Sequence, residues 1–346
     1  MIQVSHLTKR YGEFVAVDDL SFEIESGHIY GFLGPNGAGK STTMNILTGC
    51  LSATEGTVTI DGHDIVEEPR EAKRRIGYLP EIPPLYRNET PVEYLQFVGA
   101  AKGLRGPALR AQITSVLAQT HLQEVSHRRT EELSKGYRQR LGIAQALLGD
   151  PSTIILDEPT VGLDPLQIVE IRDLIRQLGE THTVILSSHI LSEIQNLCDQ
   201  ILIISRGTLL AFDTPSHLEQ RLRSASSVRL LAEADLPCVR DLLLALPEVS
   251  SYEIIRQGDG FTGVDVHTGH DDIHDLSRAL YQAFAREGIV LLELRVQRAD
   301  LETVFLELTE RAAEDAPETP EIPDVPLTEE PIGAEDPSAD GEEADE

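Results

Sequence analysis

The chain has 346 residues, enough for one large α/β unit and a smaller second one. Aromatic residues make up 5%, tryptophan is absent, and the formal charge is -29, so stacking on bases and attraction to a polyanion both lack material. No nucleic-acid partner is expected. Fourteen of the acidic residues and none of the basic ones lie between 314 and 346, so this short segment carries about half of the net charge. Cys50, Cys198 and Cys238 are far apart and form no CxxC pair, as in a reducing compartment. No basic stretch followed by an apolar core opens the chain, and no apolar run reaches the ~20 residues of a membrane helix. A membrane role therefore has to come through a partner polypeptide.

In chain order, Ile2 to Leu7, Phe14 to Ile24 and Thr57 to Ile60 read as short strands, with Asp61-Gly62 as a turn. Between them His28 to Leu33 is a compact apolar strand, followed by a glycine-rich loop and a helical pattern from Lys40 to Leu47. Pro91 to about Thr130 reads as an inserted helical subdomain. Buried-type strands follow at Thr153 to Leu156, Thr183 to Leu186 and Gln200 to Ile204, separated by helical patterns. That alternation predicts an α/β fold with a mostly parallel core sheet. The rhythm changes after about Arg223. Val228–Leu231, Pro237–Leu246, Tyr252–Arg256, Gly263–Val266, Asp271–Arg286 and Val290–Val296 give the order β-α-β-β-α-β of a ferredoxin-like α+β unit. A closing helix is expected over Asp300–Arg311. From about Glu314 the composition predicts disorder, since so few apolar side chains cannot offset the ordering entropy. The expected division is 1–222, with its helical subdomain near 90–150, then 223–312, then an acidic tail at 313–346.

Two motifs carry chemistry. Gly34-Pro35-Asn36-Gly37-Ala38-Gly39-Lys40-Ser41-Thr42 matches the G-x-x-x-x-G-K-[ST] phosphate loop. Its glycines let backbone N–H groups turn inward on phosphate oxygens. Lys40 can reach the β- and γ-phosphates, the Ser41 hydroxyl can ligate Mg²⁺, and a helix N-terminus adds positive partial charge. The strand Ile154-Ile155-Leu156 delivers Asp157 and Glu158 to its carboxyl end, where ligands of open α/β sheets collect. Asp157 suits Mg²⁺, and Glu158 suits a base for the water that attacks the γ-phosphate.

With Leu133-Ser134-Lys135-Gly136-Tyr137, these motifs resemble the ATP-binding subunits of ABC transporters over roughly residues 1 to 215. The resemblance implies a P-loop ATPase domain with an added antiparallel β subdomain. It implies that Ser134, Lys135, Gly136 and Tyr137 act as the signature opening a helix. It further implies Asp164, within Gly162-Leu163-Asp164, in the loop that touches a dimer partner, His189 as the γ-phosphate switch, and Tyr11 as the aromatic that stacks on adenine. Glu81 stands where the family usually has glutamine, and a carboxylate there can still ligate Mg²⁺. Lys135 and Tyr137 replace a glycine and a glutamine of the usual signature. The run Leu133 to Leu141, together with Glu302 to Thr309, looks like the branch serving ABC-2-type exporters, nearest the gliding-motility-type subunits.

One copy of each motif supplies half of two sites. The expected assembly is an ATP-dependent homodimer, docked on a separately encoded polytopic permease at the cytoplasmic face of the membrane. A soluble ABC-type ATPase or a nucleotide-dependent switch is the alternative. His267, His270 and His274 with Asp271 and Asp272 invite a metal reading, but a polar loop with an exposed helix start is the simpler account. Lys73, Arg74 and Arg75 read as a solvated helix face in preference to a lipid contact.

Overall fold

In the computed structural model of the protein, residues 1–221, 227–258, 260–268 and 273–297 are described. The expected closing helix, the acidic tail, and His270, Asp271 and Asp272 lie outside them.

The chain opens with β1 (Ile2–Tyr11), β2 (Phe14–Ile24) and β3 (Ile29–Leu33), then α1 (Lys40–Leu47). β4 (Glu55–Ile60), β5 (His63–Asp64), α2 (Pro69–Arg74) and β6 (Ile76–Leu79) follow. Next come the helices α3 (Pro91–Ala101), α4 (Gly106–Gln119) and α5 (Lys135–Leu147). β7 (Thr153–Leu156), α6 (Pro165–Gly179), β8 (Thr183–Ser188), α7 (Leu191–Gln195), β9 (Gln200–Ser205), β10 (Thr208–Asp213) and α8 (Pro215–Arg221) complete this part.

These elements build two sheets. The larger runs β10-β9-β3-β8-β7-β6 and is parallel apart from the β9–β10 edge pair. The smaller is antiparallel in the order β2-β1-β4-β5. The central strands read as unbroken apolar runs because both faces of the sheet are covered. Alternation along each strand sorts the side chains. Tyr30, Phe32, Ile155, Ile185, Leu202 and Ile204 pack toward the antiparallel sheet and α1. Ile29, Leu33, Ile154, Leu156, Val184, Leu186, Ile201 and Ile203 pack toward the helices on the opposite face. The helical insert starts on a capping box: the Thr90 hydroxyl accepts from Glu93 N, and the Glu93 carboxylate accepts from Thr90 N.

β6 has no counterpart among the strands read from the sequence. It is four residues long with Gly77 inside, too short for a periodicity signal, yet it pairs with β7 and sets the position of Glu81.

The C-terminal part comprises β11 (Ser227–Ala232), α9 (Leu236–Leu244), β12 (Ser251–Gly258), β13 (Phe261–His267), α10 (Ile273–Arg286) and β14 (Leu291–Gln297). Its sheet runs β12-β13-β11-β14, antiparallel throughout, which is the ferredoxin-like arrangement. Val228, Leu230, Val264 and Val266 on one face meet Leu276, Leu280 and Phe284 of α10. Across the other face Arg229 donates two hydrogen bonds to Asp265, at 2.9 and 2.7 Å.

Candidate active site

Parallel register explains why distant motifs meet. Leu33 is level with Ser188, Leu156 with Leu186, and Leu79 with Leu156. The segments that follow these strands carry Gly34–Lys40, Asp157–Glu158, Glu81 and His189, and all leave from the carboxyl edge of one sheet.

The loop after β3 closes on itself through its glycines. Gly37 and Gly39 have φ of 79° and 100°, and Gly39 caps α1. A side chain at Gly34 would overlap the carbonyl oxygen of Ile204. The first turn of α1 contains no acidic residue, so its free N–H groups face the loop unopposed. Lys40 is only 6% exposed. Its Nζ donates to Gly34 O at 2.9 Å and Pro35 O at 3.3 Å, and lies 3.6 Å from Glu158 Oε1.

Beside it, a cavity of about 490 Å³ is lined by Tyr11, Phe14, Ala16, residues 36–42, Glu81, Glu158, Val161 and His189. Tyr11 is half exposed, and Lys9 Nζ stands 5.2 Å from its ring centre.

Asp157 is 2% exposed. Its Oδ1 accepts from the Ser187 hydroxyl at 2.6 Å and from the Ser41 hydroxyl at 3.3 Å. Glu158 has φ of 47°, a left-handed conformation that costs a non-glycine residue about 1–3 kcal/mol. Its N–H donates to Ser187 Oγ at 2.9 Å, and its carboxylate lies 3.1 and 3.2 Å from His189 Nδ1. Two buried carboxylates and one buried ammonium thus meet an imidazole that reaches in from the exposed side. Tyr78, at the end of β6, donates to Asn45 Oδ1 at 3.2 Å. Burial pushes its phenol well above the usual range and the nearby Asp157 charge adds to that, so it stays a neutral donor.

The signature lies elsewhere. Ser134 caps α5, its hydroxyl accepting from Tyr137 N at 3.3 Å. Asp164 caps α6 by accepting from Gln167 N at 2.9 Å. Ser134, Gly136, Tyr137 and Asp164 line a separate cavity of about 720 Å³, together with Arg140, Gln167 and Glu170. Lys135 borders a third, of about 520 Å³, with Glu81, Ile82, Pro83 and Leu85. Its ammonium sits against Gly162, whose φ of 67° favours glycine. One chain therefore brings together Tyr11, Gly34 to Thr42, Glu81, Asp157, Glu158 and His189, and holds Ser134, Gly136 and Tyr137 in a separate cavity, with Lys135 in the groove beside Glu81.

Sequence reasoning passed over two groups. Ser187 joins both acidic residues. Glu193 is 4% exposed, accepts from Thr160 at 2.6 Å and Ser188 at 3.3 Å, and lies 3.7 Å from Arg172. The signal for Ser187 was present: a serine pair ending a buried strand, directly before His189.

Comparison with known proteins agrees with this geometry. The family described as ABC transporter matches residues 17–161. A linearmycin resistance ATP-binding protein of Bacillus subtilis is 35% identical over 91% of this chain and 100% of its own length. A bacitracin transport ATP-binding protein of Bacillus licheniformis is 37% identical over 89% of this chain and 97% of its own. Among solved structures, a dimeric cassette in a post-hydrolysis state bound to ADP and Pi is 26% identical, with a TM-score of 0.56 over 62% of this chain and 98% of that one. The chain belongs to the ABC transporter ATP-binding proteins and is an ABC-type ATPase.

Proposed function

We propose that this ATPase works as half of an ATP-closed homodimer and drives a separate membrane permease in the export direction. The observation that carries the reading is the convergence of Lys40, Ser41, Asp157, Glu158 and His189 within hydrogen-bond or ion-pair distance. Lys40, Gly37 and Gly39 cradle the phosphates and Tyr11 takes the adenine. Asn36, Ala38 and Thr42 complete the wall of the phosphate cavity, with Gly34 and Pro35 at its base. Ser41 and Asp157 offer hard oxygen donors and fit Mg²⁺, with Glu81 beside them. Mg²⁺ bound there supplies charge neutralisation on the β- and γ-phosphate oxygens. Glu158 accepts the proton of the attacking water. His189, bonded to that carboxylate, holds it in place and faces the γ-phosphate.

The chain's own Ser134, Gly136 and Tyr137 line a different cavity and its Lys135 the groove beside Glu81, so these four residues of a second copy are needed to close over the nucleotide, with Asp164 at the contact. A second α5 N-terminus would then add its partial charge. Dimeric cassettes among the solved relatives support this arrangement.

The permease has a landing place in the groove by Glu81, where Ile82 is 82% exposed and Tyr86 and Phe97 are half exposed nearby. No helix among the described residues is long and apolar enough to cross a membrane, so the spanning part belongs to the partner. The chain would then sit at the cytoplasmic face, without a nucleic-acid partner. Relatives named for linearmycin resistance, bacitracin transport and Nod factor export support outward transport. The division into 1–222, 223–312 and 313–346 belongs to the same reading.

Sedimentation of Glu158→Gln with saturating Mg-ATP is the test. A dimer with ATP and a monomer without it are expected. A strict monomer with ATP bound would overturn the dimeric mechanism.

A further inference from the structure

Asp157 and Glu158 are adjacent in sequence but have different tasks, and each must hold one orientation. The alternation of β7 and β8 shows what holds them. Ile155 and Ile185 pack on the same face of neighbouring parallel strands. Two residues further on, that face carries Asp157 and Ser187. The Ser187 hydroxyl is wholly buried and uses both of its capacities here. It donates to Asp157 Oδ1 at 2.6 Å and accepts from Glu158 N at 2.9 Å.

Both bonds bear on the chemistry. Oδ1 is also the oxygen that the Ser41 hydroxyl reaches at 3.3 Å, so Ser187 fixes which face of the Asp157 carboxylate meets Ser41. Glu158 sits at a φ of 47°, where a non-glycine residue stays only if its surroundings hold it. The hydrogen bond its backbone N–H donates to Ser187 Oγ is such a hold, and the φ it fixes aims the carboxylate at Lys40 and His189.

We propose that Ser187 is a positioning residue for both acidic groups, setting the metal-side carboxylate through its proton and the base through its lone pair. The proposal rests on Glu158 acting as the base and on Asp157 serving Mg²⁺. Alanine would remove donor and acceptor together and leave a buried amide without a partner. Threonine keeps the hydroxyl. A residue that merely filled the core would show the reverse preference, since alanine adds nothing and threonine must fit an extra methyl.

The test is phosphate release by the purified full-length chain, with Mg²⁺ titrated at saturating ATP. Ser187→Ala should lower kcat by about 10- to 10²-fold with little change in KM for ATP. It should also raise the Mg²⁺ concentration for half-maximal activity by roughly tenfold or more. Ser187→Thr should restore both. In a Glu158→Gln background, Ser187→Ala should cost no further turnover, while the raised Mg²⁺ requirement persists. If Ser187→Ala does not fold, Ser187→Cys, close in size but a weak hydrogen-bonding group, takes its place with the same readings.

Wild-type kcat and Mg²⁺ dependence in Ser187→Ala would overturn the proposal. So would a Ser187→Thr as impaired as alanine at an unchanged melting temperature, or a full additional loss on top of Glu158→Gln. Glu158→Gln alone separates the two levels. If it turns over like the wild type, the assignment of the base falls. If it is inactive while Ser187→Ala is normal, only the positioning role falls.

Discussion

The ammonium of Lys40 lies 3.6 Å from a carboxylate oxygen of Glu158, with both side chains less than a tenth exposed. They are neighbours with opposite duties, which makes their substitutions diagnostic. Lys40→Ala removes a charge-assisted contact to phosphate worth about 1.5–3 kcal/mol, so ATP affinity should fall roughly 10- to 10²-fold. Glu158→Gln should leave affinity in place and slow turnover by about 10²–10⁴-fold. Calorimetry and phosphate release, run on the same preparations, check both. Wild-type affinity in Lys40→Ala would remove the lysine from the phosphate site.

Glu193 ties three elements together: Thr160 just past the acidic loop, Ser188 at the end of β8, and Arg172 on α6. Glu193→Ala should cost about 2–3 kcal/mol, because Arg172 is then left in a poorly hydrated place without its counter-charge. Glu193→Gln should cost less, since its amide oxygen can still accept from both hydroxyls. Urea midpoints for the two variants settle the order. Equal midpoints would mean that the hydroxyl bonds contribute nothing.

Much of this site could be read without coordinates because its motifs are local. The run from Gly34 to Thr42 holds its loop, its lysine and its helix start in nine consecutive residues. Glu158 directly follows the Asp157 that ends a buried strand. The sequence marks Ser187 only as a polar residue ending a buried strand, without the groups it meets, and gives no such mark for Glu193. Their roles depend on β8 lying beside β7 in register, and that pairing joins residues about 30 positions apart. β6 escaped for a different reason: four residues, one of them glycine, carry no usable period. The ferredoxin-like order, by contrast, was legible because the strands and helices of that unit alternate at near-regular spacing with apolar residues on one face.

Gly34 is the position in the phosphate loop where added bulk meets backbone. The Ile204 carbonyl stands where a β-carbon would go, and main chain cannot rotate out of the way as a flexible side chain can. Gly34→Ala should therefore displace the loop from β9 and weaken ATP binding at least tenfold, with a stability loss of about 1–3 kcal/mol. Gly12→Ala supplies the control. Unlike Gly34, that glycine has a positive φ, of 60°, and open space around it, so backbone strain without a contact should cost about 1 kcal/mol and leave ATP binding unchanged. Equal losses of affinity in the two would refute a contact-based role for Gly34.

The three thiols give an independent check on the core. Cys50 and Cys238 are exposed, while Cys198 is buried where α7 packs on β3, with its sulfur close over Gly31. Burial raises the Cys198 thiol far above its ordinary range, and the neighbouring Asp199 carboxylate acts in the same direction. The reactive thiolate is thus scarce as well as inaccessible. An aromatic disulfide reagent should titrate two thiols rapidly in the native protein and the third only as the structure opens. Because β3 ends in the phosphate loop, opening there should also release bound nucleotide. Mg-ATP at a hundredfold excess over its Kd should then slow the third reaction by on the order of 10²-fold, while leaving the first two unchanged. A third thiol whose rate ignores ATP would mean that α7 detaches without disturbing the nucleotide site, and that the packing of Cys198 against Gly31 does not support the loop.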